Sequence, residues 1–237
     1  QTSPRLGLNY RLNDNWSWYA NYGHSFALNS GIDRHNQVFS PEKGISYELG
    51  SKYQINPQSL LSLALFKMKK ENVLTTDPTD ANYQVAAGEV SSQGIELDLE
   101  MQLNDQLSVR ANYSYTDAKV EKDQTLIKGS RLSNVPKHSG SINGNYEWSL
   151  ANASKMGIGA TTMYVGDRSG HSSDNGFTLP AYTLVNLHAY YAPSEQLRYQ
   201  FNINNLLDET YYVASYSELW IQPGDPLNAS LTLQWKF

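Results

Sequence analysis

The sequence predicts an all-β fold, a transmembrane antiparallel β-barrel portion of about eleven strands. Three observations predict it: apolar residues that alternate with polar ones at period two, connections that are short and long by turns, and aromatic rings gathered where the short connections lie. The first strand carries Leu6, Leu8, Tyr10 and Leu12 on one parity, the second Trp16, Trp18, Ala20 and Tyr22, and the third Ile45, Tyr47, Leu49, Tyr53 and Ile55. The fourth, from Leu60 to Met68, is apolar on both parities and leaves its facing open. The fifth sets Ile95, Leu97, Leu99, Met101 and Leu103 against Glu96, Asp98 and Glu100, and the sixth carries Leu107, Val109, Ala111, Tyr113 and Tyr115. Ile142, Tyr146 and Trp148, then Met156, Ile158, Ala160 and Tyr164, then Val185, Leu187, Ala189 and Tyr191 mark three more. Leu197, Tyr199, Phe201 and Ile203, and finally Leu231, Leu233, Trp235 and Phe237, mark the last two.

Short connections fall at Asn13 to Asn15, Asn56 to Gln58, Asn104 to Gln106, Leu150 to Ser154 and Pro193 to Gln196, rich in the Asn, Asp, Pro and Ser of tight turns. Long ones fall between them, at 27–42, 72–87, 118–137, 168–179 and 207–225. Nothing in a soluble sandwich puts every long loop at one end, whereas outer-membrane barrels have short periplasmic turns and long external loops. The apolar-parity residues nearest the short turns include Tyr10, Trp16, Trp18, Tyr53, Trp148, Tyr191, Tyr199 and Trp235, which is one interfacial girdle. SLTLQWKF, at the end of the sequence, alternates and finishes on Phe237. Single-chain bacterial barrels have even strand counts with both termini periplasmic. Eleven strands would start the first one outside, so further strands are expected upstream.

The 237 residues carry 18 Lys+Arg against 23 Asp+Glu, a net charge of −5, and no basic cluster, which excludes a phosphate-backbone binder: no nucleic-acid partner is expected. With no cysteine there is no disulfide framework, thiolate metal site or cysteine nucleophile. Charged residues are only 17% and mean hydropathy is −0.54, values that suit neither a disordered tail nor a helical membrane span.

Catalytic chemistry is not expected. Glu96, Asp98 and Glu100 share one parity, so a polar lumen face accounts for them better than acid/base or metal work. His24, His35, His138, His171 and His188 lack metal-ligand spacing, and no Gly-x-Ser-x-Gly elbow accompanies the serines. No catalytic residue, resident metal or covalent cofactor is therefore assigned. The alternative reading is a stand-alone outer-membrane barrel, a hydrolase using His171 or His188 with a serine, or an adhesin. A soluble β-sandwich binding module is the third, and the girdle argues against it.

FSPEKGISYELGSKYQ (39–54), GEVSSQGIELDLEMQL (88–103), RLSNVPKHS (131–139), LPAYTLVNLHAYY (179–191) and NINNLLDETYYVASY (202–216) resemble, in order, recurring segments of TonB-dependent outer-membrane receptors, most closely the ferric-siderophore receptors. The resemblance covers nearly the whole sequence and implies the C-terminal part of a barrel of about 22 strands. Its plug domain, energy-coupling box and upstream strands would lie outside residues 1–237. It implies multi-pass residence in the outer membrane of a Gram-negative bacterium. The implied partners are a ferric siderophore as transported ligand, outer-membrane lipid, and the TonB complex through the absent N-terminal region. Two departures stand out. Gly224-Asp225-Pro226 is followed by Leu227 where the family often has Arg, and Ser217 and Leu219 stand near where some hydroxamate receptors carry a cysteine pair.

Ligand recognition is expected on the long loops that a rigid barrel presents. Tyr211, Tyr212, Tyr216 and Trp220 crowd the last loop, Phe39 and His35 lie in the first, and Phe177 and His171 in another. Rings with polar tips suit a flat metal chelate that needs apolar contact and a few hydrogen bonds. Lys119, Lys122, Lys128 and Arg131 in the third long loop offer charge to an anionic chelate or lipid headgroup.

Overall fold

A computed structural model describes residues 2–77, 79–150, 154–171 and 176–236. Phe237, residues 151–153 of the expected fourth turn and residues 172–175 of the expected fourth loop lie outside the described residues. The strands are β1 (Arg5–Arg11), β2 (Trp16–Ala27), β3 (Glu42–Asn56), β4 (Ser59–Thr76), β5 (Gln84–Gln102), β6 (Leu107–Lys122), β7 (His138–Ser149) and β8 (Lys155–Val165). They continue with β9 (Arg168–Ser169), β10 (Thr178–Leu179), β11 (Tyr182–Ala192), β12 (Leu197–Asn204), β13 (Tyr212–Ser217), β14 (Trp220–Pro223) and β15 (Asn228–Trp235). Eleven form one sheet in the order β1-β2-β3-β4-β5-β6-β7-β8-β11-β12-β15, and each neighbouring pair is antiparallel. These are the expected strands in the expected order.

Four short strands were not expected: β9 pairs with β10, and β13 with β14, as two small sheets inside the last two long connections. Two expected loops are shorter than the periodicity suggests. β4 runs to Thr76 and β5 starts at Gln84, so the connection expected at 72–87 is 77–83, and β6 takes residues 118–122 from the next. The ladder continues through register shifts near Val73 and Glu89 because backbone bonding needs no apolar side chain. Lys119 and Lys122 therefore belong to β6 rather than to a loop.

Register settles the open facing of β4. Tyr53, Ser51 and Leu49 stand opposite Leu61, Leu63 and Leu65, which in turn face Leu99, Leu97 and Ile95. Apart from Ser51 those residues form one continuous apolar face, and it is not a packed core: Leu49 is 48% exposed and Leu65 46%, and on other strands Leu8 is 67% exposed and Leu231 72%. A soluble protein rarely leaves so wide an apolar surface in water, whereas in lipid it is the favourable surface.

The girdle forms as expected. Trp16 lies 5.9 Å from Trp18 and 6.0 Å from Tyr53, Tyr146 lies 5.6 Å from Trp148, Tyr10 pairs with Trp18 and Tyr191 with Tyr199. Their polar tips find partners, Trp16 Nε1 donating to Ser51 Oγ at 2.7 Å and the Tyr146 hydroxyl to Gln106 Oε1 at 2.7 Å. Three of the short turns share one chemistry: Asn13, Asn56 and Asn104 each accept, through Oδ1, the amide two residues on at 2.9 Å.

Candidate functional site

At the opposite end the long connections fold by local side-chain bonds. Asn205, at φ 51°, donates from Nδ2 to the carbonyls of Glu209 (2.9 Å) and Asp225 (3.1 Å) and accepts the Glu209 amide at 2.8 Å. One asparagine thus pins both feet of the β13–β14 hairpin, and its left-handed backbone is the kind Asn tolerates. Asp123 opens the 123–137 connection by accepting from the Thr75 hydroxyl (2.7 Å) and the amides of Thr125 (2.8 Å) and Leu126 (2.9 Å). Burial pushes the Asp123 carboxyl up, but these donors outweigh it and hold it below the usual carboxylate range.

Three connections are stitched together. Arg131 pairs with Asp167 at 3.1 Å. The Asn134 amide donates to the Ser169 carbonyl at 2.9 Å, while its side chain accepts the Ser215 amide at 2.9 Å and donates to the Ser215 carbonyl at 2.7 Å. Ser215 Oγ donates to the Gly170 carbonyl at 2.5 Å. Arg168, 1% exposed, donates from Nη2 to the carbonyls of Tyr212 and Val213, and its guanidinium lies 5.5 Å from the Tyr182 ring. The described residues of connections 123–137, 166–181 and 205–227 are therefore joined by side-chain bonds.

The expected ligand residues divide over this frame. Tyr211 packs against Tyr182, ring centroids 4.7 Å apart, and lies over Gly224, so it serves the loop's own packing. Tyr212 gives its carbonyl to Arg168. Phe177 covers Gly170, and His171 accepts the Ser169 hydroxyl through its backbone carbonyl at 2.9 Å. Tyr216 (85% exposed) and Trp220 (75%) stand free at the hairpin tip, where with Leu219 and Ile221 they line a cleft of about 490 Å³. Phe39 and His35 are elsewhere, in the 28–41 connection, Phe39 over Gly31 and His35 accepting from Arg34 Nε at 3.1 Å. That connection is tied instead to 77–83: Arg34 reaches Asp77 at 3.5 Å and bonds the Thr79 hydroxyl.

Arg168, Asn134, Asn205 and Ser215 were not among the expected residues. Asn134, Asn205 and Ser215 lie inside the recurring segments 131–139 and 202–216, and their place in those segments is the available signal. Of the four cations expected in the third loop, three face acids: Lys119 and Lys122, both in β6, lie 3.4 Å from Asp117 and 4.0 Å from Glu89 respectively, and Arg131 pairs with Asp167.

The arrangement suits contact rather than bond-breaking. Glu96, Asp98 and Glu100 stand on the polar face opposite Ser114, Asn112 and Arg110. His188 lies in β11 over Gly159. Among the described residues no three His, Cys, Asp or Glu side chains are grouped to hold a metal ion.

Residues 1–206 match the family model "TonB dependent receptor-like, beta-barrel". The chain is 44% identical over 232 residues to the metal-pseudopaline receptor CntO of Pseudomonas aeruginosa, covering 98% of this chain and 33% of that protein. It is 30% identical over 243 residues to the ferrioxamine B receptor of Salmonella typhimurium, covering 99% of this chain and 34% of the relative. The chain thus spans about a third of the length of the curated relatives it matches. The crystal structure of BauA, the ferric preacinetobactin receptor of Acinetobacter baumannii, superposes at a TM-score of 0.85 with 21% identity over 99% of this chain and 36% of that one, a likeness of fold. The relatives are named as receptors, not enzymes.

Proposed function

We propose, from the premise that this chain belongs to the TonB-dependent receptor β-barrel family of Gram-negative outer membranes, that it is the barrel segment of a receptor importing a ferric siderophore. The exposed ring pair Tyr216 and Trp220, held on a docked hairpin above a lipid-facing sheet, carries the reading. The edges of β1 and β15 would meet strands outside these residues, since an unpaired strand edge is not tolerated in hydrocarbon. TonB would act through a region also outside them, drawing a plug aside so that the bound chelate passes; no bond of the ligand is broken.

The 44% identity to a metal-pseudopaline receptor favours a second reading of the ligand, a metal chelate of the pseudopaline kind. The two are separated by titrating the full-length receptor with ferric ferrioxamine B and with metal-loaded pseudopaline. Replacing Tyr216 and Trp220 together by Ala should weaken the chelate that binds by about tenfold to a hundredfold, the effect of losing exposed aromatic anchors. Unchanged affinity removes these rings from the site, and a receptor that binds neither class overturns the reading.

A further inference from the structure

We infer that Asn134 is a positioning residue that docks the β13–β14 hairpin, and so fixes where Tyr216 and Trp220 meet the ligand. The ligand half of this inference rests on the function proposed above; the docking half does not.

β13 pairs with β14 on one edge only, Ser215 opposite Ile221. Its other edge would be an open row of backbone groups, which proteins normally cover. Here the cover is two side chains. Asn134 exchanges two hydrogen bonds with the amide and carbonyl of Ser215, as a residue of a neighbouring strand would, across 81 positions of sequence. Arg168 takes the carbonyls of Tyr212 and Val213 at the irregular start of β13. The backbone of Asn134 is left-handed, φ 62°, which turns its side chain to the hairpin while its own amide bonds Ser169 in the 166–181 connection. Ser215 is only 7% exposed, so losing those bonds leaves buried polar groups without partners. A single residue therefore links three connections. Asn is the residue type that combines an amide side chain with tolerance of this backbone.

The test is hydrogen exchange on the full-length receptor, comparing wild type with Asn134→Gly and Asn134→Ser. Glycine keeps the left-handed backbone at no strain and removes only the side-chain bonds. Serine keeps a polar group too short to reach both Ser215 atoms. Amides of 212–217 should exchange about thirtyfold faster in both variants, the effect of two lost hydrogen bonds, with barrel amides unchanged. Wild-type protection of Ser215 in Asn134→Gly overturns the docking role.

Dissociation of metal-loaded pseudopaline and of ferric ferrioxamine B is then measured on the same variants and on the Tyr216→Ala, Trp220→Ala double variant. Faster dissociation of the bound chelate from Asn134→Gly supports the positioning role. Weakened binding in the double variant beside unchanged binding in Asn134→Gly overturns the positioning role while the proposed function stands. No change in either overturns the assignment of the rings, and the positioning role with it.

Discussion

The strands β3 to β6 and the strands β7 to β15 of the main sheet build their outer ends in different ways. β3, β4, β5 and β6 have 15, 18, 19 and 16 residues, more than the roughly 9 to 11 that cross a bilayer, so the ladder itself continues beyond the apolar band. β7, β8, β11, β12 and β15 have 12, 11, 11, 8 and 8, and there the chain leaves the sheet and folds into two small hairpins. The first region is held by repeated backbone bonds. The second is held by a few side chains, Asn134, Arg168 and Asn205, each serving several backbone groups. A region built by repetition depends on no single side chain but admits no intruder into its ladder, whereas one built on single residues fails when one is removed. Substitutions of the two kinds should separate them.

The largest effect is expected inside the long ladder. A Cβ at Gly94 would stand 2.0 Å from the Tyr115 carbonyl oxygen and 2.8 Å from the Phe66 ring. The carbonyl belongs to the β5–β6 ladder and cannot swing away without breaking it. Gly94→Val should exceed the about 1–3 kcal/mol of ordinary overpacking and abolish the heat-modifiable folded band on gels of outer membranes. Gly144, in β7, has nothing within 4 Å of such a Cβ, and Gly144→Val should assemble normally. Equal assembly of both variants would break the contrast.

The same contrast explains what could be read from the residues. Within the lipid band a strand needs one apolar face, so period two exposes ten of the eleven strands and the girdle around Trp16, Trp18 and Tyr53, while β4 shows only as an apolar run. Above it no strict alternation is required, and apolar residues such as Val73, Leu74 and Val120 fall on either parity. The pattern vanishes at Lys69, Lys70 and Glu71 although the ladder goes on, and residues 72–76 read as loop. β4 could not be faced because Leu60, Ala64, Phe66 and Met68 make its lumen side apolar as well, and only the register with β3 and β5 decides it. The site was half legible. Composition draws attention to Tyr216 and Trp220, but the residues that hold them are separated by tens of positions, and no local pattern marks an Asn134 side chain as the neighbour of Ser215.

An intermediate effect is expected where the second region concentrates its strength. Arg168→Met removes both donors from the carbonyls of Tyr212 and Val213 and should cost about 1–3 kcal/mol of local stability, read as faster exchange across 212–217 with the main sheet unaffected. The matching substitution in the first region is Lys69→Met. Lys69 has more ion partners, Glu71 at 3.0 Å and Glu89 at 2.8 Å, yet it is about 41% exposed, so its loss should cost under about 1 kcal/mol. A larger loss at Lys69 than at Arg168 would show that the ladder leans on its side chains after all.

The smallest effect is a pH dependence that separates the two ways of tying loops. Connection 28–41 is held to 77–83 through Asp77, whose Oδ1 accepts the Thr79 hydroxyl at 2.6 Å and amide at 2.8 Å, with Arg34 3.5 Å from Oδ2. The Thr79 bonds, aided by Arg34, hold the carboxyl below its ordinary value of 3.8 against a burial effect that raises it. A group whose folded value is depressed binds fewer protons folded than free. Its contribution is thus complete above the ordinary value and is lost as pH falls through the folded one. Spin labels at His35 and Asn82 should keep one distance from pH 7 down to about 5 and broaden only below the ordinary carboxylate value. Asp77→Asn should remove that step. The Asn134–Ser215 and Arg168 bonds involve no carboxylate, so labels at Thr178 and Leu219 should show no matching change, whereas the 123–137 connection, opened by Asp123, should respond to acid as Asp77 does. A shared acid step would mean that the hairpin, too, depends on a titrating carboxylate, with the Arg131–Asp167 pair the first to substitute.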